Sequence, residues 1–269
     1  MMTRPELEAV FREMLRLIPV SLAVREFMRL VTMDGLLPAG TEVLDVGCGD
    51  GSFWKVFPRL AEVTLDGVDL NRYEVEQARR HGVYRHVEVG DISAAGPDRL
   101  YDVVVGNCSL EHIPNINAAL VNIRRCLRPD GRLLLFVPAF GWTRELSLVR
   151  LLDLASPRLS MAASGALDGF FQHHHLYDAT SWRLLVEAAG YQVDQVLGMG
   201  APALNRVFEA NLPLAMAEFV YKTLRKRYPR RHFHRRLPGG AFFAAMAEQP
   251  VPLGSPGTVE YILEARPAP

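Results

Sequence analysis

Val43-Leu44-Asp45-Val46-Gly47-Cys48-Gly49-Asp50-Gly51 is the stretch on which the reading of this chain turns. A short apolar run gives way to three glycines within five residues, and helical character follows. A buried strand therefore enters a tight turn where a ligand can approach the main chain. Gly-X-Gly alone is shared by several kinds of nucleotide site, and Ser52 stands where a dinucleotide fingerprint would carry its third glycine. Asp45 and Asp50 bracket the turn. A pyrophosphate would meet two carboxylates there, although the N-terminus of the following helix would favour it.

Outward from this turn, β-rich runs alternate with helical stretches. The expected strands are Glu42–Val46, Val63–Val68 ending at Asp69, His86–Val89 ending near Asp91, Tyr101–Val105 and Arg132–Val137. Helices are expected at 53–61, 72–81 and 115–127, with Pro129-Asp130-Gly131 as a turn. This alternation predicts an α/β fold, a Rossmann-like doubly wound sheet. Apolar positions at helical spacing (Leu7, Val10, Phe11, Met14, Leu15, then Leu22, Phe27, Leu30, Val31) predict a helical N-terminal cap over 1–40, divided at Pro19. The core is expected over 41–200, with a cap insertion at 139–177. Asp178–Ala189 reads as a helix, and 191–197 and 258–265 as strands. The intervening 201–257 is too long for a hairpin loop and reads as an insertion, helical from about 204 to 227.

The chain has 269 residues, 49% apolar and 22% charged, with zero net charge, as expected of a globular protein without a global bias toward nucleic acid. The charge is uneven: 222–236 holds eight Lys or Arg and no acid, leaving 22 basic against 30 acidic residues elsewhere, a net −8. Three cysteines (Cys48, Cys108, Cys126) with no CxxC spacing predict neither a disulfide framework nor a four-cysteine zinc site, and a reducing cytoplasm is expected. The first 20 residues lack the apolar core of a signal peptide, and no run of 18 apolar residues suggests a membrane span.

Several strand ends carry a polar residue: Asp69, Asp91, and Asn107 to His112. In open α/β sheets ligands bind at these carboxyl ends. A carboxylate at Asp69 can accept both ribose hydroxyls of a nucleoside, and Asp91 can accept from an adenine amino group. S-adenosylmethionine carries an ammonium and a sulfonium and no phosphate, so an acidic glycine turn suits it better than a dinucleotide.

In order, VLDVGCGDG at 43–51, GVDLN at 67–71, VEVGDIS at 87–93, YDVVVGNCSLEHIPN at 101–115, LRPDGRLLLFVP at 127–138 and HLYDATSWRLLVEAAGYQV at 175–193 resemble the class I S-adenosylmethionine-dependent methyltransferases, small-molecule type, in particular those of quinone biosynthesis. The resemblance covers about residues 40–198. It implies a mostly parallel sheet with an antiparallel last strand. It implies a cofactor site in which Asp45, Gly47, Cys48 and Gly49 cradle the methionine portion, Asp69 holds the ribose, Leu70 packs on adenine, Asp91 and Ile92 read its edge, and Asn107 lies near the methionine end. The demethylated product, S-adenosylhomocysteine, would bind the same way.

Methyl transfer needs a general base only when the acceptor arrives protonated. His112 is the candidate by position, and His173–His175 is a second source, with His173 and His175 as candidates because consecutive residues cannot all face one pocket. Glu111 and His112 with one of these histidines form an alternative metal set. Cys108 stands where a further acidic ligand would fall, and no metal is expected. The acceptor is expected to be a small or lipid-linked molecule methylated on oxygen, with an RNA methyltransferase or a catalytically silent cofactor-binding scaffold as alternatives. Aromatic walls are expected from Phe140, Trp142, Phe170, Phe171 and Tyr177 in one insertion and Phe208, Phe219 and Tyr221 in the other. The segment 222–236 is a candidate for peripheral contact with an anionic membrane.

Overall fold

The structure, a computed structural model, describes residues 2–225, 228–229 and 237–269. Seven strands form one sheet: β1 Glu42–Val46, β2 Thr64–Asp69, β3 His86–Val89, β4 Tyr101–Asn107, β5 Leu127–Pro138, β6 Tyr191–Met199 and β7 Glu260–Pro267. Their spatial order is β3-β2-β1-β4-β5-β7-β6. The first five are parallel, and β7 runs antiparallel to both β5 and β6. The sheet is thus Rossmann-like and mostly parallel with an antiparallel last strand.

The central strands are apolar on both faces because helices cover both. Val43, Val103, Val105, Leu134 and Phe136 face one core. Leu44, Val104, Leu133 and Leu135 face the other. That alternation is the two-residue period of a strand. The helices are α1 Arg4–Leu17, α2 Val20–Leu36, α3 Ser52–Lys55, α4 Arg72–His81, α5 Ile116–Arg125, α6 Ser147–Ala155, α7 Pro157–Phe171, α8 Ala179–Ala188, α9 Pro202–Arg225 and α10 Gly240–Ala247. Trp182 and Val186 of α8 join the second core, whereas α1, α2, α9 and α10 close over the first.

The helical elements at the two ends of the chain form one layer. Phe11 and Phe27 meet Phe242 at ring distances of 4.9 and 6.5 Å, and the Ser21 hydroxyl donates to the Phe208 carbonyl at 2.7 Å. Two expectations change in detail. The helix expected over 53–61 stops at Lys55 and resumes only as a short turn at Leu60–Glu62. Pro58 lacks an N–H and biases Phe57 away from helical geometry. The turn expected at 129–131 is absorbed into β5 as a register shift between Tyr101 and Val103. Within the basic run, Lys226, Arg227 and 230–236 lie outside the described residues. Lys222 pairs with Glu74 at 3.1 Å. No helix among the described residues is long and apolar enough to cross a membrane.

Candidate active site

Two cavities meet at the carboxyl ends of the parallel strands. The first, a strand-end cleft of about 320 Å³, is lined by Gly47, Asp69, Leu70, Asp91 and Ile92 among others. The second, an aromatic chamber of about 190 Å³, lies beneath α2 and is walled by Trp142, Phe171 and Phe208. Cys108 and His112 line both.

The cleft is a product of the β1 turn. Gly47 has a φ of +75°, and a Cβ added there would overlap the Ser109 side chain. Only glycine fits both constraints. The Asp69 carboxylate is held by two backbone donors, Gly49 N at 2.8 Å and Asn71 N at 2.7 Å, so it is oriented before any ligand arrives. One Asp91 oxygen accepts from the Ser93 hydroxyl and amide, which holds its carboxyl below the usual range. Leu70 is 73% exposed, an apolar platform on the rim. The lining includes two carboxylates and no Lys or Arg. That charge pattern suits a cationic nucleoside and opposes a pyrophosphate.

Four of the expected cofactor residues lie outside this lining. Asp45 sits under the turn, where Oδ2 accepts from Trp54 Nε1 and the Tyr84 hydroxyl, each at 2.7 Å, and Oδ1 has no hydrogen bond among the described residues. Burial pushes its carboxyl up to about 7, despite those two hydrogen bonds. The geometry gives Asp45 the work of bracing the turn. The Cys48 thiol turns inward against Gly67, and its burial raises its pKa. Gly49 contributes through its N–H to Asp69 and not as a wall. Asn107 donates to Glu26 of α2 at 3.1 Å, tying the strand end to the helical layer.

The histidines separate cleanly. His112 Nδ1 lies 2.9 Å from the Gln172 carbonyl. A carbonyl oxygen only accepts, so this contact places the proton on Nδ1 and leaves Nε2, 3.7 Å from Glu111 Oε1, able to accept. His173 lines the chamber, its ring stacked on Phe171 at 5.8 Å and on His112 at 5.6 Å. His175 lines neither cavity. Its Nε2 contacts the Ile113 carbonyl at 2.9 Å and its Nδ1 the Tyr177 hydroxyl at 3.0 Å, so both ring nitrogens are engaged in holding the loop. Of the two histidine candidates in this segment, His173 faces the chamber and His175 lies away from both cavities. His174 is exposed, and its backbone N–H donates to the Glu111 carbonyl.

The alternative metal pair, Glu111 and His112, is side by side, Oε1 to Nε2 at 3.7 Å. No group of three or more His, Cys, Asp or Glu among the described residues is placed to hold a metal ion. Glu111 is 1% exposed, and burial pushes its carboxyl up to about 7.

The chamber also contains groups that the sequence reading missed. Arg25, Glu26 and Arg29 enter from α2, and Glu260 from β7. Arg25 and Arg29 share Glu260 Oε1 at 3.3 and 3.0 Å; Arg29 also contacts Glu26 at 3.1 Å and Cys108 Sγ at 2.8 Å. Leu22, Arg25, Glu26 and Arg29 recur at helical spacing, so the polar stripe was visible in the sequence, but nothing local marks such a stripe as buried. Of the expected aromatic walls, Trp142, Phe171 and Phe208 line the chamber. Phe140 is exposed, Phe170 packs on Phe219, Tyr177 packs on Trp182, and Tyr221 lines neither cavity.

A Rossmann-like sheet with one antiparallel strand and an acidic, phosphate-averse cleft at its strand ends defines a class I methyltransferase dependent on S-adenosylmethionine. The methyltransferase-domain family model matches residues 13–196, more than half of the chain, and the protein belongs to that family. Among similar curated proteins, a ubiquinone biosynthesis O-methyltransferase of Xanthomonas oryzae pv. oryzae is 39% identical over 105 residues, 36% of this chain and 43% of that protein. A ribosomal protein L11 methyltransferase of Dictyoglomus turgidum is 36% identical over 99 residues, 35% of this chain and 32% of that protein. The matches thus span about a third to a half of these curated relatives. The solved structure of the [4+2]-cyclase SpnF has a TM-score of 0.56 at 18% identity, covering 90% of this chain and 81% of that one, a likeness of fold.

Proposed function

We propose that this enzyme methylates an oxygen of a small acceptor, with S-adenosylmethionine in the strand-end cleft and the acceptor in the aromatic chamber. The observation that carries this reading is the shared wall: Cys108 and His112 line both cavities, so groups from the two sites can meet there. The cofactor fits the cleft on charge and shape. Asp69 would take the ribose, Leu70 the flat face of the base and Asp91 with Ile92 its edge. When bound, S-adenosylmethionine supplies a methyl carbon already activated by its sulfonium.

The protein's own work is alignment, exclusion of water and proton management. Trp142, Phe171 and Phe208 keep the acceptor side apolar. His112 would take the acceptor's hydroxyl proton on Nε2, the ring nitrogen beside Glu111 Oε1 at 3.7 Å. The Gln172 carbonyl on Nδ1 steadies the imidazolium that results. His112→Gln should lower turnover on a competent acceptor by about 10²-fold or more, the usual worth of a positioned base. Calorimetry with S-adenosylhomocysteine should show unchanged affinity for the variant. Equal losses in turnover and cofactor affinity would refute a base role. Cofactor binding with no transfer to any acceptor in a broad phenol, carboxylate and thiol panel would favour the silent-scaffold reading.

A further inference from the structure

The two arginines of the chamber are unequal. Arg29 is 5% exposed and has Glu26, Glu260 and the Cys108 sulfur around it. Arg25 is 8% exposed and has one hydrogen bond among the described residues, Nη1 to Glu260 Oε1 at 3.3 Å, on an oxygen that Arg29 already holds more closely. Arg25 Nε and Nη2 are buried with no acceptor among the described residues. These two N–H groups lie on one edge of the guanidinium and point the same way, the fork that matches a carboxylate with two parallel hydrogen bonds. A buried cation with its best edge unmatched is costly in a folded protein unless something completes it.

Other features fix that edge in place. The Arg25 guanidinium lies over the Phe208 ring at 4.4 Å and near the Trp142 ring at 5.3 Å, so its plane is held by aromatic faces. The chamber's 190 Å³ is close to the roughly 150 Å³ of a cavity that admits one benzene ring. Arg25 lines the chamber alone, whereas Cys108 and His112 also face the cleft. Glu111, whose Oε2 also has no hydrogen bond among the described residues, shares the chamber wall.

We infer that the acceptor is a small, flat carboxylic acid, one ring in size, whose carboxylate docks on the Nε–Nη2 edge of Arg25 while a second group of the same molecule is presented to His112. The proposal rests on the chamber being the acceptor site of the methyl transfer described above. A phosphate would bring a second negative charge beside Glu26, Glu111 and Glu260 of the same chamber, so the monoanion is the better match.

Benzoate and 4-hydroxybenzoate, with benzamide as the neutral isostere and phenyl phosphate as the dianion, test this on the full chain saturated with S-adenosylhomocysteine. Calorimetry should show the carboxylates binding at least tenfold more tightly than benzamide and phenyl phosphate. Arg25→Gln and Arg25→Lys, neither of which offers the fork, should each lose that preference while keeping wild-type affinity for S-adenosylhomocysteine. Equal binding of benzamide and benzoate, tighter binding of phenyl phosphate, unchanged benzoate affinity in a folded Arg25 variant, or no binding of either acid at millimolar concentration would each overturn the inference. Should both variants fail to fold, the wild-type comparison of benzoate with benzamide decides it. Failure of S-adenosylhomocysteine to bind wild-type protein would instead strike the underlying reading of the cleft. A carboxylate bound through Arg25 that has no effect on methyl transfer to any acceptor would strike the reading of the chamber as the transfer site.

Discussion

In the strand-end cleft, both Asp69 oxygens accept backbone N–H groups and Asp91 is held by Ser93. In the chamber on the other side of His112, Arg25, Arg29, Glu111, His173 and Glu260 each keep a buried polar atom without a hydrogen bond among the described residues. The cleft is finished by its own turn geometry. The chamber is a set of opposed charges held in apolar walls. The cleft can be built to one pattern for a common cofactor, while the chamber carries the chemistry particular to this protein.

Gly47→Ala is the strongest way to break the cleft alone. The added methyl would meet the Ser109 side chain at a φ of +75°. We expect S-adenosylhomocysteine affinity to fall by about 10²-fold or more, since both the turn and the backbone approach are lost. Calorimetry at millimolar ligand checks it, and near-wild-type binding would show that the turn relaxes without harm.

Asp45→Asn sharpens the comparison by testing what lies beneath the cleft. Burial holds the folded-state carboxyl at about 7, above its ordinary 3.8. The folded protein therefore keeps a proton that the unfolded chain releases. The stability tied to that proton is complete below pH 3.8 and is lost as pH rises through about 7. Asparagine keeps an acceptor for Trp54 and Tyr84 and never ionises. Its stability relative to wild type should rise by about 2–3 kcal/mol between pH 5 and pH 8. Urea unfolding at the two pH values measures this, and a difference independent of pH would contradict the raised pKa.

Asp69→Ala should have the smallest effect of the three. A net loss equal to one charged hydrogen bond, about 1.5–3 kcal/mol, should weaken S-adenosylhomocysteine binding by at least tenfold. Benzoate affinity in the chamber should stay unchanged, the mirror image of the result expected for Arg25→Gln. Coupled losses in both sites would show that cleft and chamber are one cooperative unit.

The cleft was legible in the sequence because it is local. A strand, its turn and the next helix occupy adjacent residues, and glycine and aspartate are placed by backbone rules that act over a few positions. Even so, Asp45 read as a ligand contact because a carboxylate at a strand end looks the same whether it faces the cleft or braces Trp54 from below. The histidines pose a related problem: sequence alone does not say which of His173 and His175 turns toward a cavity. The chamber was hardly legible. Its walls come from positions 22–29, 108–112, 138–142, 171–173, 208 and 260, brought together only by the sheet order and the helical layer. Arginines at helical spacing on α2 look like a solvated face until α9 covers them.

The pairing of β5 with β7, which sets Glu260 opposite Pro138, also imposes an order on the making of the molecule. The five parallel strands and their turn are present once synthesis has passed Pro138. Arg25 and Arg29 must wait 235 and 231 further residues for the carboxylate they share. Contacts so distant along a chain close late, because the entropy of the intervening loop must be overcome first. A nascent chain should therefore acquire its glycine turn well before Glu260 reaches the two guanidinium groups, and a chain halted before β7 would leave Arg25 without its carboxylate and Arg29 with Glu26 alone.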